Sequence, residues 1–368
     1  MNGSPPLDEI IDNISRLLEL EEIDLSLRNL SYDDIVRITD ILRTKENLQK
    51  LNLCCVFTTK NHDEIVSAVK KIFSVIEDKP ISELNISNNA LAPGAIKEMK
   101  KFLTQNVNLQ SIIVDDTGLG KLGGEILFES ILNSKSQSSF LKTLSARANV
   151  LGSSRTTPLL GKIFIKHNTT LTKVCLSRNN LNFKHFPQLL KGLKSCRGLE
   201  FLDLEDNNLS GDLASQFGSY MNKWSNLKHM NVSSCFFTSI QVNFVLNALS
   251  KKSNTKLEFL GLQYNYIDDD GYLSLADTIR KCLKDLTRLE LNGNMIMKQP
   301  KCYDKLKKSL KSIGHPDALD DLNDMQNESD DESSDDGSPS DGSSSDDESK
   351  KRKLDCLGVE KLESKKKK

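Results

Sequence analysis

Residues 199–209 read LEFLDLEDNNL. Leu202 and Leu204 alternate with Phe201, Asp203 and Glu205, the period of two expected for a short strand with one buried face. An asparagine, Asn207, follows two residues before the closing Leu209. The same frame returns as LTKVCLSRNNL (171–181), LEFLGLQYNYI (257–267), LTRLELNGNMI (286–296) and ISELNISNNAL (81–91). Weaker copies are LKTLSARANVL (141–151), LKHMNVSSCFF (227–237), LQSIIVDDTGL (109–119), LQKLNLCCVFT (48–58) and LEEIDLSLRNL (20–30).

Counted at the asparagine place, the copies stand at 28, 56, 89, 117, 149, 179, 207, 235, 265 and 294, in steps of 28 to 33 residues. This is the long variety of the leucine-rich repeat. Each strand is followed by a stretch with leucines at helical spacing, such as HFPQLLKGLKS (185–195), which predicts a return helix. Neither element can bury its apolar side alone, so stacked units share one core. The fold class is therefore α/β, a solenoid bent into a horseshoe with parallel strands inside and helices outside. LDEIIDNISRLL (7–18) predicts an N-terminal capping helix, and PKCYDKLKKSLKSI (300–313) predicts the last helix. The asparagines at 89, 149, 179, 207, 265 and 294 read as scaffold, their amides satisfying backbone groups of neighbouring turns.

The net charge of −1 hides a segregation. Residues 317–348 carry fourteen acids and no Lys or Arg, and residues 349–368 carry nine bases against three acids. Three regions follow: a leucine-rich-repeat domain over 1–316, an acidic tail over 317–348 too hydrophilic to offset the entropy of ordering, and a basic C-terminal segment over 349–368. The run KKRK, Lys350 to Lys353, fits a nuclear import signal, and the two SDDE stretches (329–332, 345–348) resemble acidophilic kinase sites. No apolar run reaches membrane-span length and MNGSPPLDEI lacks the character of a signal peptide, which predicts a cytosolic or nuclear protein. Eight cysteines without C-x-x-C spacing read as reduced, packed thiols.

Nothing in the chain points to autonomous catalysis. No phosphate loop occurs, GLGKLGG (118–124) reads as a glycine-rich turn into a helix, and the histidines are scattered. No metal site and no cofactor are expected. Loop residues between each strand and the asparagine line one rim of the solenoid, a surface such folds present to protein partners. They are Asn88, Asp115, Asp116, Arg147, Ala148, Arg178, Asp206, Gln263 and Tyr264.

Long leucine-rich repeats running into an acidic tail resemble the Ran GTPase-activating proteins. The likeness rests on LGLQYNYIDDD (260–270), LTRLELNGNMI (286–296), the tail entry DALDDLNDMQNESDDE (317–332), ISELNISNNALAPGA (81–95), IIVDDTGLGKLGGEIL (112–127) and VFTTKNHDEI (56–65). It implies a GTPase activator that is not itself a hydrolase. Such a protein binds the switch regions of a Ran-like GTPase in its GTP form, alone or with a Ran-binding protein, and positions the GTPase's own catalytic glutamine. The family resemblance further implies a role in nucleocytoplasmic transport from the cytoplasm, at or near the nuclear rim, and a monomeric chain that needs neither membrane nor nucleic acid.

Carried over residue by residue, the resemblance puts the catalytic part on Asp116, where the family has an asparagine, and on Lys60, where it has an arginine. RANVLGS (147–153) keeps Asn149 but not the family's flanking arginine pattern. Asp115, Asn88, Arg147, Arg178, Asp206, Gln263 and Tyr264 would extend the contact. An aspartate keeps an acceptor but loses the amide's donor. It also sets a charge near phosphates, a repulsion of ~2 kcal/mol at ~7 Å and an effective dielectric of ~20. Lysine lacks arginine's planar fork. Both departures predict either weaker activation than the family's or a partner with compensating changes. The alternatives are a Ran binder without activation and a leucine-rich interaction scaffold.

Overall fold

Leucine pairs such as Leu202 and Leu204, or Leu289 and Leu291, are wholly buried, and the strands they define stack in chain order. The computed structural model describes residues 6–17, 19–136, 140–181, 183–251 and 256–326. Residues 1–327 form one compact unit; the second unit, 328–368, lies outside the described residues, and with it the KKRK and SDDE motifs.

The strands are three residues each: β1 (Glu22–Asp24), β2 (Lys50–Asn52), β3 (Glu83–Asn85), β4 (Ser111–Ile113), β5 (Thr143–Ser145), β6 (Lys173–Cys175), β7 (Phe201–Asp203), β8 (His229–Asn231), β9 (Phe259–Gly261) and β10 (Arg288–Glu290). All pair in parallel in the order β1 to β10. Their register follows the frame, so Lys173, Phe201, His229, Phe259 and Arg288 are successive partners. A helix follows every strand, as parallel crossovers require. The stretch read as a return helix forms Phe186–Ser195, burying Phe186, Leu189, Leu190 and Leu193. Leu7–Arg16 is the N-terminal helix, its Ile11 in the core, and Pro300–Ser312 is the last.

The asparagine ladder forms as the frame predicts. Asn149 donates to the carbonyls of Val114, one repeat earlier, and Arg147, at 2.7 and 2.8 Å. Its carbonyl oxygen accepts from the backbone of Thr117 and Leu119. Asn179, Asn207 and Asn265 repeat the donor pattern. Thr117, which replaces asparagine in its own repeat, is fully buried. Its hydroxyl lies 3.0 Å from the Val114 carbonyl and 2.9 Å from Asn149 Oδ1, so a smaller side chain closes that turn.

One boundary is corrected. The chain does not lose structure at 317: residues 317–326 cover the free edge of the sheet. Leu289 donates to the Ala318 carbonyl at 2.7 Å, Asp320 donates back to Leu289 at 3.0 Å, and Ile296 donates to Gln326 at 2.8 Å. Two things hold this strap. The edge of β10 offers unpaired backbone groups. Between the acids, Leu319, Leu322 and Met325 pack on the core. An average over the whole acidic region conceals that apolar spacing.

Candidate functional site

The residue just before each asparagine place has a left-handed backbone. Leu27, Cys55, Asn88, Asp116, Ala148, Arg178, Asp206, Ser234 and Tyr264 have φ between 49° and 59°, and Gly293 takes the tenth place at 72°. Such a φ is costly for most residues and persists only where neighbours hold it. The hold here is a backbone bond to the next repeat: Asn88 to Asp115, Asp116 to Arg147, Arg178 to Glu205 and Asp206 to Ser233, at 2.7 to 3.0 Å. This twist is what splits adjacent rim residues onto different faces.

Asp115 and Asp116 separate in this way. Asp116 is exposed. The Asp115 carboxylate instead accepts the Ser145 hydroxyl at 2.7 Å and the Arg147 N–H at 2.8 Å, while its own N–H donates to Ser87 Oγ at 3.0 Å. Burial pushes its pKa up, against the lowering effect of those bonds. Asp115 is thus a strut between the third, fourth and fifth repeats.

Arg147 also lies along the strand face. Its Nε donates to Ser177 Oγ at 2.8 Å and stands 3.8 Å from Asp203 Oδ2. Asp203 Oδ2 accepts from Ser177 at 3.1 Å and from the Cys175 thiol at 3.2 Å. Asn231 donates to Glu205 at 3.2 Å, and burial, reinforced by Asp203, raises the Glu205 pKa. The result is a polar seam across β5 to β8.

Gln263 and Tyr264 are engaged by the strap: Gln263 Nε2 donates to Asp320 Oδ2 at 2.9 Å, and Tyr264 Oη to Asp324 Oδ2 at 3.2 Å. Asp320 also accepts from the backbone of Leu291 and Asn292. Asn88 is half-buried and donates to Cys54 Sγ at 3.4 Å. Arg178 and Asp206 are exposed, and Lys60 is half-buried in the loop before the helix His62–Ile76. Apart from Tyr264, which the strap engages, the exposed members of the rim are therefore Asp116, Arg178 and Asp206.

Residue-by-residue reading missed a ladder on the strand face. Phe201, His229 and Phe259 stack with centroids 3.9 and 4.0 Å apart and planes within 7° of parallel. Lys173 Nζ stands 4.6 Å from the Phe201 centroid at one end and the Arg288 guanidinium 5.7 Å from Phe259 at the other. Burial, together with the Lys173 and Arg288 charges and against Asp203, lowers the His229 pKa to about 4. All five hold the third place of the frame, so the signal is visible once the copies are aligned. Among the described residues, no cluster of three His, Cys, Asp or Glu could hold a metal ion, and no helix is long and apolar enough to cross a membrane.

The Leucine Rich Repeat family profile matches residues 198–220. Ran GTPase-activating protein 1 of Saccharomyces cerevisiae is 26% identical over 321 residues, covering 83% of this chain and 78% of the yeast protein. The mouse NACHT, LRR and PYD domains-containing protein 14 is 26% identical over 320 residues, 86% of this chain but 30% of the longer protein. Among solved structures, an internalin from Listeria monocytogenes aligns with a TM-score of 0.44 at 15% identity, covering 85% of this chain and 89% of the internalin.

Proposed function

We propose that this leucine-rich-repeat chain, similar to the yeast Ran GTPase-activating protein, is an activator of the same kind and accelerates GTP hydrolysis by a Ran-like small GTPase. What carries the reading is the similarity to the yeast activator across 83% of the chain. The outward position of Asp116 supports it further. Hydrolysis belongs to the GTPase, and this chain supplies positioning. The Asp116 backbone is held by its bond to Arg147, and the strut at Asp115 stiffens the same loop from the other side. A carboxylate on so fixed a loop can accept the amide N–H of the GTPase's glutamine without ordering the loop first, which is the advantage of preorganisation. Lys60 contributes a cation to the docking of the switch regions. Arg178 and Asp206 extend the same rim, and transport between nucleus and cytoplasm is the process such activation would serve, from the cytoplasmic side.

The test is single-turnover GTP hydrolysis by Ran from the same organism, with the protein, with Asp116→Ala and with Asp116→Asn. Stimulation that Asp116→Ala loses and Asp116→Asn keeps or raises supports the reading. Stimulation untouched by either removes Asp116 from the site. The aspartate at 116 and the lysine at 60 favour one second reading, a Ran binder without activation. A stable complex with GTP-loaded Ran and no change in hydrolysis would select it. Neither binding nor stimulation would leave an interaction scaffold.

A further inference from the structure

Cys54 and Cys55 follow β2 in the loop of the second repeat. Successive side chains of an extended chain point to opposite faces. Here the left-handed backbone at Cys55, φ 58°, turns the second back, and the two sulfurs lie 3.5 Å apart. Neither is in a disulfide. The dipeptide is pinned on both flanks: Leu27 donates to the Cys54 carbonyl at 2.8 Å, Cys55 donates to the Ser87 carbonyl at 3.0 Å, and Cys54 N–H donates to Asn52 Oδ1 at 3.1 Å. Asn88 donates to Cys54 Sγ from the next repeat. Cys54 is buried and Cys55 half-exposed, while Cys175, Cys196, Cys235, Cys282 and Cys302 are buried.

We propose that Cys54 and Cys55 form a dithiol site for trivalent arsenicals on the rim of the second repeat. Joining the sulfurs directly is disfavoured. A disulfide needs them ~2.05 Å apart and its Cα atoms at least ~4.4 Å apart, whereas neighbours across a trans peptide have Cα atoms ~3.8 Å apart. The bonds to Leu27, Ser87 and Asn52 also resist the necessary twist. An atom bridging the two sulfurs leaves them near their present separation and asks nothing of the backbone.

The reaction is substitution at arsenic with no change of oxidation state. The more exposed Cys55 thiol attacks R–As(OH)₂, an As–S bond replaces one As–O bond, and the displaced hydroxide leaves as water with the thiol proton. Cys54 closes the ring in the same way and releases a second water. A lone thiol forms only the first bond, which excess monothiol reverses; ring closure makes the adduct resist that exchange.

The probe is phenylarsine oxide, applied to the full chain in a Cys356→Ser background and read by intact mass. One phenylarsenic per chain should survive an excess of monothiol and leave with 2,3-dimercaptopropanol. After proteolysis with trypsin it should map to residues 51–60, LNLCCVFTTK. Cys55→Ser and, separately, Cys54→Ser should each abolish the retained label. Should one variant fail to fold, the other and the peptide map of the parent chain still decide. Retention in the Cys54→Ser/Cys55→Ser double variant, a bridge mapped elsewhere, or loss of all label from the parent chain under monothiol would overturn the proposal.

Discussion

The carboxylate of Asp115 accepts the Arg147 N–H at 2.8 Å, while the side chain of Asp116, the next residue, is exposed. Two neighbouring acids thus serve different ends. One binds repeat to repeat, and the other stands exposed to solvent. Asp115→Ala leaves the Arg147 N–H and the Ser145 hydroxyl without their acceptor, so it should cost about 1–3 kcal/mol of stability. Asp116→Asn, which keeps a residue tolerant of left-handed φ, should change stability by no more than ~0.5 kcal/mol. Urea unfolding of both variants checks the contrast. Equal losses would mean that the split between the two carboxylates is wrong.

Asn149 serves two repeats at once, donating to Val114 and Arg147 and accepting from Thr117 and Leu119. Asn149→Ala should therefore cost at least ~2 kcal/mol, since several buried backbone groups lose partners together. Thr117→Val removes one hydroxyl at nearly constant volume and should cost ~1 kcal/mol. Thermal unfolding should rank Asn149→Ala well below Thr117→Val; the reverse order would remove the ladder as the element joining these repeats.

The strap predicts where the chain can be shortened. A chain ending at Gln326 keeps the bonds to Leu289, Leu291, Asn292 and Ile296, whereas one ending at Pro316 exposes the edge of β10. Hydrogen exchange at Leu289 and Leu291 should match the full chain in the first and quicken at least tenfold in the second, which corresponds to ~1.4 kcal/mol of local opening. Asp320→Ala alone should reproduce the change at Leu291 and Asn292 but spare Leu289, whose acceptor is the Ala318 carbonyl.

Two histidines bear on pH. Burial lowers the pKa of both His167 and His229 to about 4, with Lys166 adding to the effect at His167. His167 Nδ1 accepts from the Phe140 N–H, a role it can play only in the neutral ring, whose proton then sits on the buried Nε2. An unfolded histidine, with a pKa near 6.5, binds more protons than either folded one between pH ~6.5 and ~4. Their contribution is therefore whole above pH 6.5 and lost as pH falls toward 4, by up to ~3 kcal/mol each. Asp115, Glu205 and Glu290, whose pKa values burial raises, act in the opposite sense over the lower part of that range. His229→Phe, which keeps a flat ring between Phe201 and Phe259, should flatten the fall of melting temperature between pH 7 and 5. An unchanged slope would mean that His229 titrates normally in the folded chain.

The repeat frame carried most of the architecture. Each copy contains one of the ten strands, and the asparagines found the backbone partners expected of them. The frame worked because alternation and helical spacing are local: leucines at the same places in each unit can be buried only by stacking unit on unit. Composition served less well at the tail entry, where its average over 317–348 hid three apolar residues that close the sheet edge.

Of the rim, membership was readable and direction was not. Asp115, Arg147, Gln263 and Tyr264 all lie where the frame places them, yet the first two are bound along the strand face and the others reach Asp320 and Asp324 in the strap. The same holds for the stack of Phe201, His229 and Phe259, each an ordinary strand residue in its own repeat. Repeat number, strand position and ladder follow from periodicity within some thirty residues of chain. Which side chain meets which depends on groups about thirty or sixty residues apart, brought together by the parallel register and by the left-handed turn ending each strand, and no local pattern encodes that meeting.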